Sequence, residues 1–101
     1  MIVVHAVLRS RPERRADTTA ALISAQRTTR TNDRGCRHYA FVVDLEDNCL
    51  FTCVEEWESM AALQAHLASP HLADLDAVLA DTAEGPAQIR VFESEPTAIP
   101  T

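Results

Sequence analysis

The fold of this chain is decided by the stretch from Leu50 to Leu72, which reads LFTCVEEWESMAALQAHLASPHL. The residues from Leu50 to Trp57 are rich in apolar, β-branched and aromatic side chains, which predicts a strand. Ser59 is a suitable N-cap for a helix whose apolar residues recur at helical spacing as far as Leu67. Ser69 and Pro70 then end this helix and begin another. The stretch therefore predicts one strand followed by two short helices.

The rest of the chain supplies three more strands and one long helix. We expect strands over Ile2–Ser10, Arg37–Leu45 and Gln88–Phe92, a helix over about Pro12–Thr29, and residues 72–79 in the short helix that begins at Pro70. The order βαββα(α)β predicts a ferredoxin-like α+β fold, in which helices cover one side of a four-stranded antiparallel sheet. We assign residues 1–95 to this domain and residues 96–101 to a C-terminal tail without a pattern.

All four predicted strands carry apolar residues on both faces, although helices can cover only one face of the sheet. In the first strand, for example, Val4 and Leu8 alternate with Val3 and Val7. An uncovered apolar face of this size usually marks an interface, and a second copy related by a two-fold axis would cover it. We therefore expect a homodimer that packs sheet on sheet as a dimeric α/β barrel.

Composition excludes several classes of protein. The 101 residues suffice for one domain, and the net charge of −6 argues against non-specific binding to nucleic acid. No apolar run has the length of a membrane helix, and basic residues follow the apolar opening Met1–Val4, the reverse of a signal peptide. Three cysteines do not make a disulfide framework. We expect a cytoplasmic protein that binds neither nucleic acid nor membrane.

Several short segments resemble the antibiotic biosynthesis monooxygenase (ABM) domain family. They are Val54–Ser59, Ala62–Leu67, Ser69–Leu72, and the turn Gly35–Cys36 followed by Tyr39. The resemblance is closest to the quinol monooxygenase-like branch. It implies a dimeric α/β barrel and, for many members, the oxidation of aromatic polyphenols by O₂ without a bound cofactor. Other members degrade haem, isomerise small signalling molecules or have no assigned activity.

Departures from the better-known branches limit what the resemblance carries over. Members that degrade haem have Trp at the position of His66 and the iron-binding His at the position of Asp76, so haem degradation is not expected. Members that oxidise polyketides share Trp57 but have Asn at the position of Cys53 and Tyr at that of Leu63. Cys53 and Leu63 are therefore expected to line the substrate pocket, with a different substrate.

Oxygenation without a cofactor requires a base, because a phenol must lose its proton before it reduces O₂ readily. Histidine is the natural base near neutral pH. His66 is the first candidate, since it lies one turn after Leu63 on a helix face turned toward the sheet. His5 and His71 are further candidates. The alternatives are a boundary His66 bonded to a backbone carbonyl, a satisfied core His5, and a His71 that caps a helix or lies on the surface.

Aromatic side chains are expected to hold the substrate ring. Trp57 can stack on it and Tyr39 can donate a hydrogen bond to a substrate oxygen, although either can instead be a core residue. Glu55 shares the face of Trp57, and if buried it needs a partner such as Arg90 or a histidine. We expect no metal site, because Cys36, Cys49, Cys53 and His38 lack the spacing of zinc ligands.

These observations favour a cofactor-independent monooxygenase that oxidises a quinol, a polyphenol or an aromatic polyketide after a pocket histidine has removed a proton. The enzyme would need a cavity between helices and sheet with His66 and Trp57 on its wall. Two alternatives stay open. One is a non-catalytic dimeric module that binds a small hydrophobic molecule or assembles with a partner, and the other is a cofactor-free isomerase on the same scaffold.

Overall fold

The computed structural model describes residues 1–101 and consists of a four-stranded antiparallel sheet with helices on one face. The strands are β1 (Ile2–Arg9), β2 (Cys36–Val43), β3 (Leu50–Trp57) and β4 (Gln88–Glu93). The helices are α1 (Arg15–Asn32), α2 (Met60–Leu67) and α3 (Pro70–Thr82). The strand order is β2-β3-β1-β4, and every neighbouring pair is antiparallel. The ferredoxin-like α+β fold predicted from the sequence is confirmed.

The central strand β3 has the predicted bounds and carries much of the core. Its alternate side chains Phe51, Cys53, Glu55 and Trp57 are all buried on the helix side of the sheet. Cys53 and Trp57 pack with Ile2, Val4, Tyr39 and Leu63, while Phe51 packs with Leu8, Leu22, Ala25 and Leu75. β3 therefore joins the two apolar clusters of the domain, as its alternating pattern leads one to expect.

Helix α1 differs from the prediction at both ends. Residues Pro12–Arg14 form a separate 3-10 turn, and the α-helix itself begins at Arg15. It ends at Asn32 rather than near Thr29, although its threonine-rich tail has low helix propensity. Thr29 is fully buried, in helical phase with Leu22 and Ala25, so packing of this face against the sheet outweighs the intrinsic preference of the tail.

Strand β2 ends two residues earlier than predicted. Its last residue is Val43, and Leu45 is fully exposed in the following loop. The Asp44 side chain accepts a hydrogen bond from the backbone N–H of Glu46 at 2.9 Å. This local bond turns the chain away from the strand, and the apolar side chain of Leu45 does not prevent it.

The sheet face opposite the helices is uncovered within the subunit. Val3, Val7 and Val54 lie on it half-buried, and Val42 is about half exposed there, at 50% of its surface. Polar side chains share the face: His5 pairs with Arg90 across β1 and β4. The face is therefore mixed, with an apolar centre and charged residues at the β4 edge. None of the helices has the length and apolar character needed to cross a bilayer.

Candidate functional site

Three side chains from three segments meet at one end of the helical layer. Asp33 follows the last turn of α1, His66 lies in the last turn of α2, and His71 lies in the first turn of α3. The Asp33 Oδ2 atom is 2.6 Å from His66 Nδ1 and 2.9 Å from His71 Nε2. One carboxylate oxygen thus contacts both imidazole rings. The three residues are called the His–Asp–His cluster below.

The junction between α2 and α3 brings the two histidines to the same side. Ser69 caps α3 by accepting a hydrogen bond from the backbone N–H of Leu72, and it donates one to the carbonyl of His66 at 2.6 Å. Pro70 occupies the first position of α3, where its missing N–H leaves no bond unmade. Ser69 Oγ also lies 3.2 Å from His71 Nε2. The Ser-Pro sequence therefore fixes both the helix boundary and the histidine positions.

A glycine holds Asp33 next to helix α2. Gly35 has a φ of +78°, and a Cβ atom at this residue would lie 2.7 Å from the Cβ of Ala62. Only glycine tolerates both the left-handed conformation and the close approach. The loop from Asp33 to Gly35 consequently packs directly on α2, one turn before His66. This contact sets the distance between the carboxylate and the ring.

The hydrogen bonds define which ring nitrogens carry protons. An ionised carboxylate only accepts hydrogen bonds, so His66 donates from Nδ1 and His71 donates from Nε2. With a neutral ring, the lone pair of His66 is then on Nε2. Asp33 therefore orients the His66 ring and selects the tautomer, as the buried aspartate does in a catalytic Asp–His pair.

Buried groups pack behind His66. The His66 side chain is only 2% exposed, and its ring centroid lies 4.7 Å from that of Trp57 and 5.2 Å from that of Tyr39. Trp57 Nε1 donates a hydrogen bond to Glu55 Oε1 at 3.0 Å. Burial raises the pKa of the Glu55 carboxyl, while the Trp57 bond and the nearby His66 act in the opposite direction.

The four predicted substrate contacts are core residues in this structure. Trp57, Tyr39, Cys53 and Leu63 belong to one buried cluster, and Trp57 is completely buried. Burial raises the pKa of the Tyr39 phenol and of the Cys53 thiol far above their usual ranges. The four side chains fill the space beneath the helices, and Trp57 lines none of the five main clefts. None of these five clefts is the expected cavity with both His66 and Trp57 on its wall.

Two open clefts meet at Asp33 instead. The first, of about 650 Å³, runs between α1 and α3 and is lined by His71 and Ser69 among others. The second, of about 470 Å³, lies beside α2 and is lined by His66 and Ala62. Asp33 lines both clefts. Each has the size of a pocket for a small aromatic molecule, and each reaches one histidine of the cluster.

Two of the three predicted catalytic histidines come together, and the third does not. The third candidate, His5, is half-buried on the uncovered face, where its ring lies 5.6 Å from that of Phe92. The strand register explains this, because His5 alternates with the buried Val4 and therefore points to the other side of the sheet. His66 and His71 share Asp33, which was not among the site residues predicted from the sequence.

The structure gives His66 and Glu55 partners that differ from some of those considered from the sequence. His66 bonds to the carboxylate of Asp33 rather than to a backbone carbonyl. Glu55 accepts its hydrogen bond from Trp57 and interacts electrostatically with His66, a histidine as expected, whereas Arg90 lies over the ring of Phe92 at the β4 edge. Both differences involve pairs that only the tertiary fold brings together or orients.

The structure contains one set of side chains whose donor atoms converge closely enough to hold a metal ion. The ligand atoms of Asp33, His66 and His71 all lie within 4.8 Å of one another. Cys36, Cys49 and Cys53 are free thiols and are not part of this set. This set of donors was not predicted from the sequence, because Asp33 is far from the histidines along the chain and its pairing with them depends on the loop at Gly35.

Comparisons with known proteins agree on the fold. The family model described as "Antibiotic biosynthesis monooxygenase" matches residues 1–77. A crystal structure of an antibiotic biosynthesis monooxygenase is 25% identical, with a TM-score of 0.87 over 95% of this chain and 100% of that one. A Mycobacterium tuberculosis protein, Rv0793, is 26% identical, with a TM-score of 0.87 over 97% of this chain and 98% of that one.

A Deinococcus radiodurans protein, solved as a candidate antibiotic biosynthesis monooxygenase, has a TM-score of 0.89 at 23% identity. The match spans 100% of this chain and 99% of that one, which shows a shared fold. Among curated proteins, none matches the chain significantly.

Proposed function

Since the chain belongs to the antibiotic biosynthesis monooxygenase family, we propose that it is a cofactor-independent monooxygenase of the quinol monooxygenase-like branch. Its substrate class is a quinol, a polyphenol or an aromatic polyketide. The observation that carries the proposal is the bond between Asp33 and His66, which leaves Nε2 of a buried histidine as the proton acceptor. A base of this kind is what oxygenation without a cofactor requires.

The proposed reaction begins with proton transfer from a substrate hydroxyl or an acidic ring CH₂ to His66 Nε2. Asp33 stabilises the imidazolium that results, because its carboxylate faces the opposite ring nitrogen. The substrate anion then passes one electron to O₂, and the two radicals combine. For a ring CH₂ group, one oxygen atom ends as the carbonyl and the other leaves as water with the two hydrogens. The electrons balance without an external reductant.

The cleft beside α2 is the proposed substrate site. It is lined by His66 together with Gly35 and three alanines of α2, Ala61, Ala62 and Ala65, which leave room for a planar ring. Trp57 and Tyr39 pack against the buried side of His66 and so support its ring rather than contacting the substrate. Cys53 and Leu63 contribute to the same packed support.

We also propose that two copies associate through the uncovered sheet face to form the dimeric α/β barrel. The half-buried valines Val3, Val7 and Val54 and the exposed Val42 support this, since a partner would remove them from water. The net charge of −6 favours a protein that does not bind nucleic acid, and its three free cysteines favour a reducing compartment such as the cytoplasm.

A cofactor-free isomerase is the second candidate function. The observation that favours it is the second histidine on the same carboxylate: His71 contacts Asp33 at 2.9 Å and lies in the neighbouring cleft. One histidine, acting as the base, can remove a proton from one substrate atom, and the other, acting as the acid, can return a proton to a different atom. This reaction consumes no O₂, which separates it from the first proposal.

Oxygen consumption tests the proposal directly. Untagged protein freed of metal and flavin is given a panel of anthrones and hydroquinones in an oxygen electrode, against an autoxidation blank. We expect uptake above the blank that His66→Ala abolishes and that His38→Ala, a change at an exposed histidine, leaves intact. Uptake equal to the blank for every compound contradicts the proposal. Thermal stabilisation by a compound without turnover would then indicate the non-catalytic binding module.

A further inference from the structure

We propose that the His–Asp–His cluster binds a divalent transition-metal ion of the Zn²⁺ or Co²⁺ type, through His66 Nδ1, His71 Nε2 and the Asp33 carboxylate. The three donor atoms already converge, all lying within 4.8 Å of one another. They come from three separate segments of the chain, and each presents one ligand atom to a shared point. This site goes beyond the proposed monooxygenase activity.

The donor set selects the class of ion. Imidazole nitrogens suit zinc, cobalt, copper, nickel and iron, whereas Mg²⁺ and Ca²⁺ prefer a shell of oxygens. Two imidazoles and one carboxylate leave at least one coordination position for water. Asp33 lines both open clefts, so solvent can reach that position.

The geometry needs a rearrangement of the side chains. At the tetrahedral angle, metal bonds of about 2.0–2.2 Å place neighbouring ligand atoms roughly 3.3–3.6 Å apart. The present separations from Asp33 Oδ2, 2.6 Å to His66 and 2.9 Å to His71, must therefore open by roughly 0.4–1 Å, the range given by tetrahedral coordination. Asp33 and His71 have room for this, because their side chains are 11% and 16% exposed. The nearly immobile member is His66, which the aromatic core holds in place.

Neighbouring groups orient and balance the ligands. Ser69 Oγ lies 3.2 Å from His71 Nε2 and fixes the position of this ring relative to His66. The buried Glu55 carboxyl interacts electrostatically with the His66 ring, which acts to lower the pKa of that carboxyl. Outer groups of this kind contribute to metal affinity in known sites.

A bound ion would prevent His66 from accepting a proton from the substrate, an effect that rests on the proposed function. In the metal-free ring the proton is on Nδ1 and the lone pair is on Nε2. When the ion occupies Nδ1, the proton of a neutral ring moves to Nε2, which then cannot accept a proton from the substrate. The ion replaces a proton at one nitrogen and no electron is transferred. Zn²⁺ is therefore an inhibitor of the oxygenase reaction.

Cobalt spectroscopy tests binding without any need for activity. Untagged, metal-free protein carrying Cys36→Ser, which removes the partly exposed thiol, is titrated with Co²⁺. We expect visible d–d absorption that saturates at one ion per chain and that Zn²⁺ displaces. Asp33→Asn and His71→Gln should each weaken binding by more than about tenfold, since even changes to outer-shell groups cost 10–100-fold in known sites. The matched control His38→Ala should bind as the parent does.

The outcomes separate the two proposals. Absent d–d absorption, or equal affinity in Asp33→Asn, His71→Gln and the parent, overturns the metal site and leaves the oxygenase proposal untouched. Circular dichroism checks that each variant is folded. If Asp33→Asn does not fold, His71→Gln alone tests the metal site. Saturable binding in a protein without oxygen uptake supports the site and counts against the oxygenase. Oxygen uptake that appears only with the ion also supports the site but overturns the inhibitory role.

Discussion

Trp57 donates its indole N–H to the carboxylate of Glu55, two residues earlier on the same face of β3, and both side chains are buried. The pair places an ionisable group directly behind the histidine of the proposed active site. An indole N–H satisfies one carboxylate oxygen but does not neutralise its charge. Glu55 is therefore the position where burial and ionisation conflict most clearly in this domain.

The pH dependence of stability should change in Glu55→Gln. Burial raises the pKa of Glu55 above its ordinary value of 4.5, so the folded state keeps this proton after the unfolded chain has lost it. Unfolding free energy therefore falls as pH rises above about 4.5 and levels off once the folded carboxyl has ionised. Glutamine cannot ionise, and the variant should lack this fall. Urea titrations between pH 4 and pH 8 measure it, with Glu56→Gln on the opposite face as the control that retains the wild-type slope.

Gly35→Ala should destabilise the protein more than the same change at Gly85. Both glycines have a positive φ, of +78° and +85°, so each substitution costs about 1 kcal/mol in backbone strain. Only at Gly35 does the added Cβ meet a neighbour, Ala62 Cβ at 2.7 Å, whereas Gly85 has open space. We expect roughly 1–3 kcal/mol of additional loss at Gly35 in chemical denaturation. Equal losses at both positions would show that the loop does not depend on this contact.

Asp33→Asn should reduce turnover much more than it reduces stability. The amide can donate to His66 Nδ1, which favours the tautomer with its lone pair directed away from the substrate, and it cannot stabilise the imidazolium. A loss of about 10²–10⁴-fold in kcat is the magnitude seen when a base is lost or misoriented. Asp76→Asn, at an exposed position on α3, is the matched control. An active Asp33→Asn protein would assign the base elsewhere.

Charge on the uncovered sheet face should dissociate the proposed dimer. Val54→Asp places a carboxylate at the centre of that face, where a partner would have to bury it unpaired. Sedimentation velocity should give twice the chain mass of 11.1 kDa for the wild type and a monomer for the variant. Leu67→Asp, an exposed residue at the end of α2, should remain dimeric. A wild-type protein that sediments as a monomer at micromolar concentration contradicts the barrel.

The sequence predicted the architecture well, because its strands and caps are local signals. The alternation over β3, the N-cap Ser59 and the Ser69–Pro70 junction all act within a few residues of the elements that they define. The end of α1 was predicted less well, since burial of Thr29 depends on the sheet and outweighs the low helix propensity of the tail.

Part of the site was also predicted, because the sequence signals for that part are local. His66 and His71 are close in sequence and are positioned by one helix junction, so their candidacy required only local reasoning. Asp33 was missed because its contact with them spans 33 and 38 residues. The sequence could not place His5, because a two-sided apolar strand does not reveal which face the helices cover. The filling of the interior by Trp57 and Tyr39 is a matter of packing that composition does not specify.

The single tryptophan, whose ring lies 4.7 Å from that of His66, gives the protein an intrinsic optical probe. Its indole is shielded from water, so its emission should be blue-shifted and should move to longer wavelength only when the core around the histidine opens. A fluorescence spectrum can therefore report, without a label, whether a bound compound stays in the outer cleft or penetrates to the aromatic layer beneath.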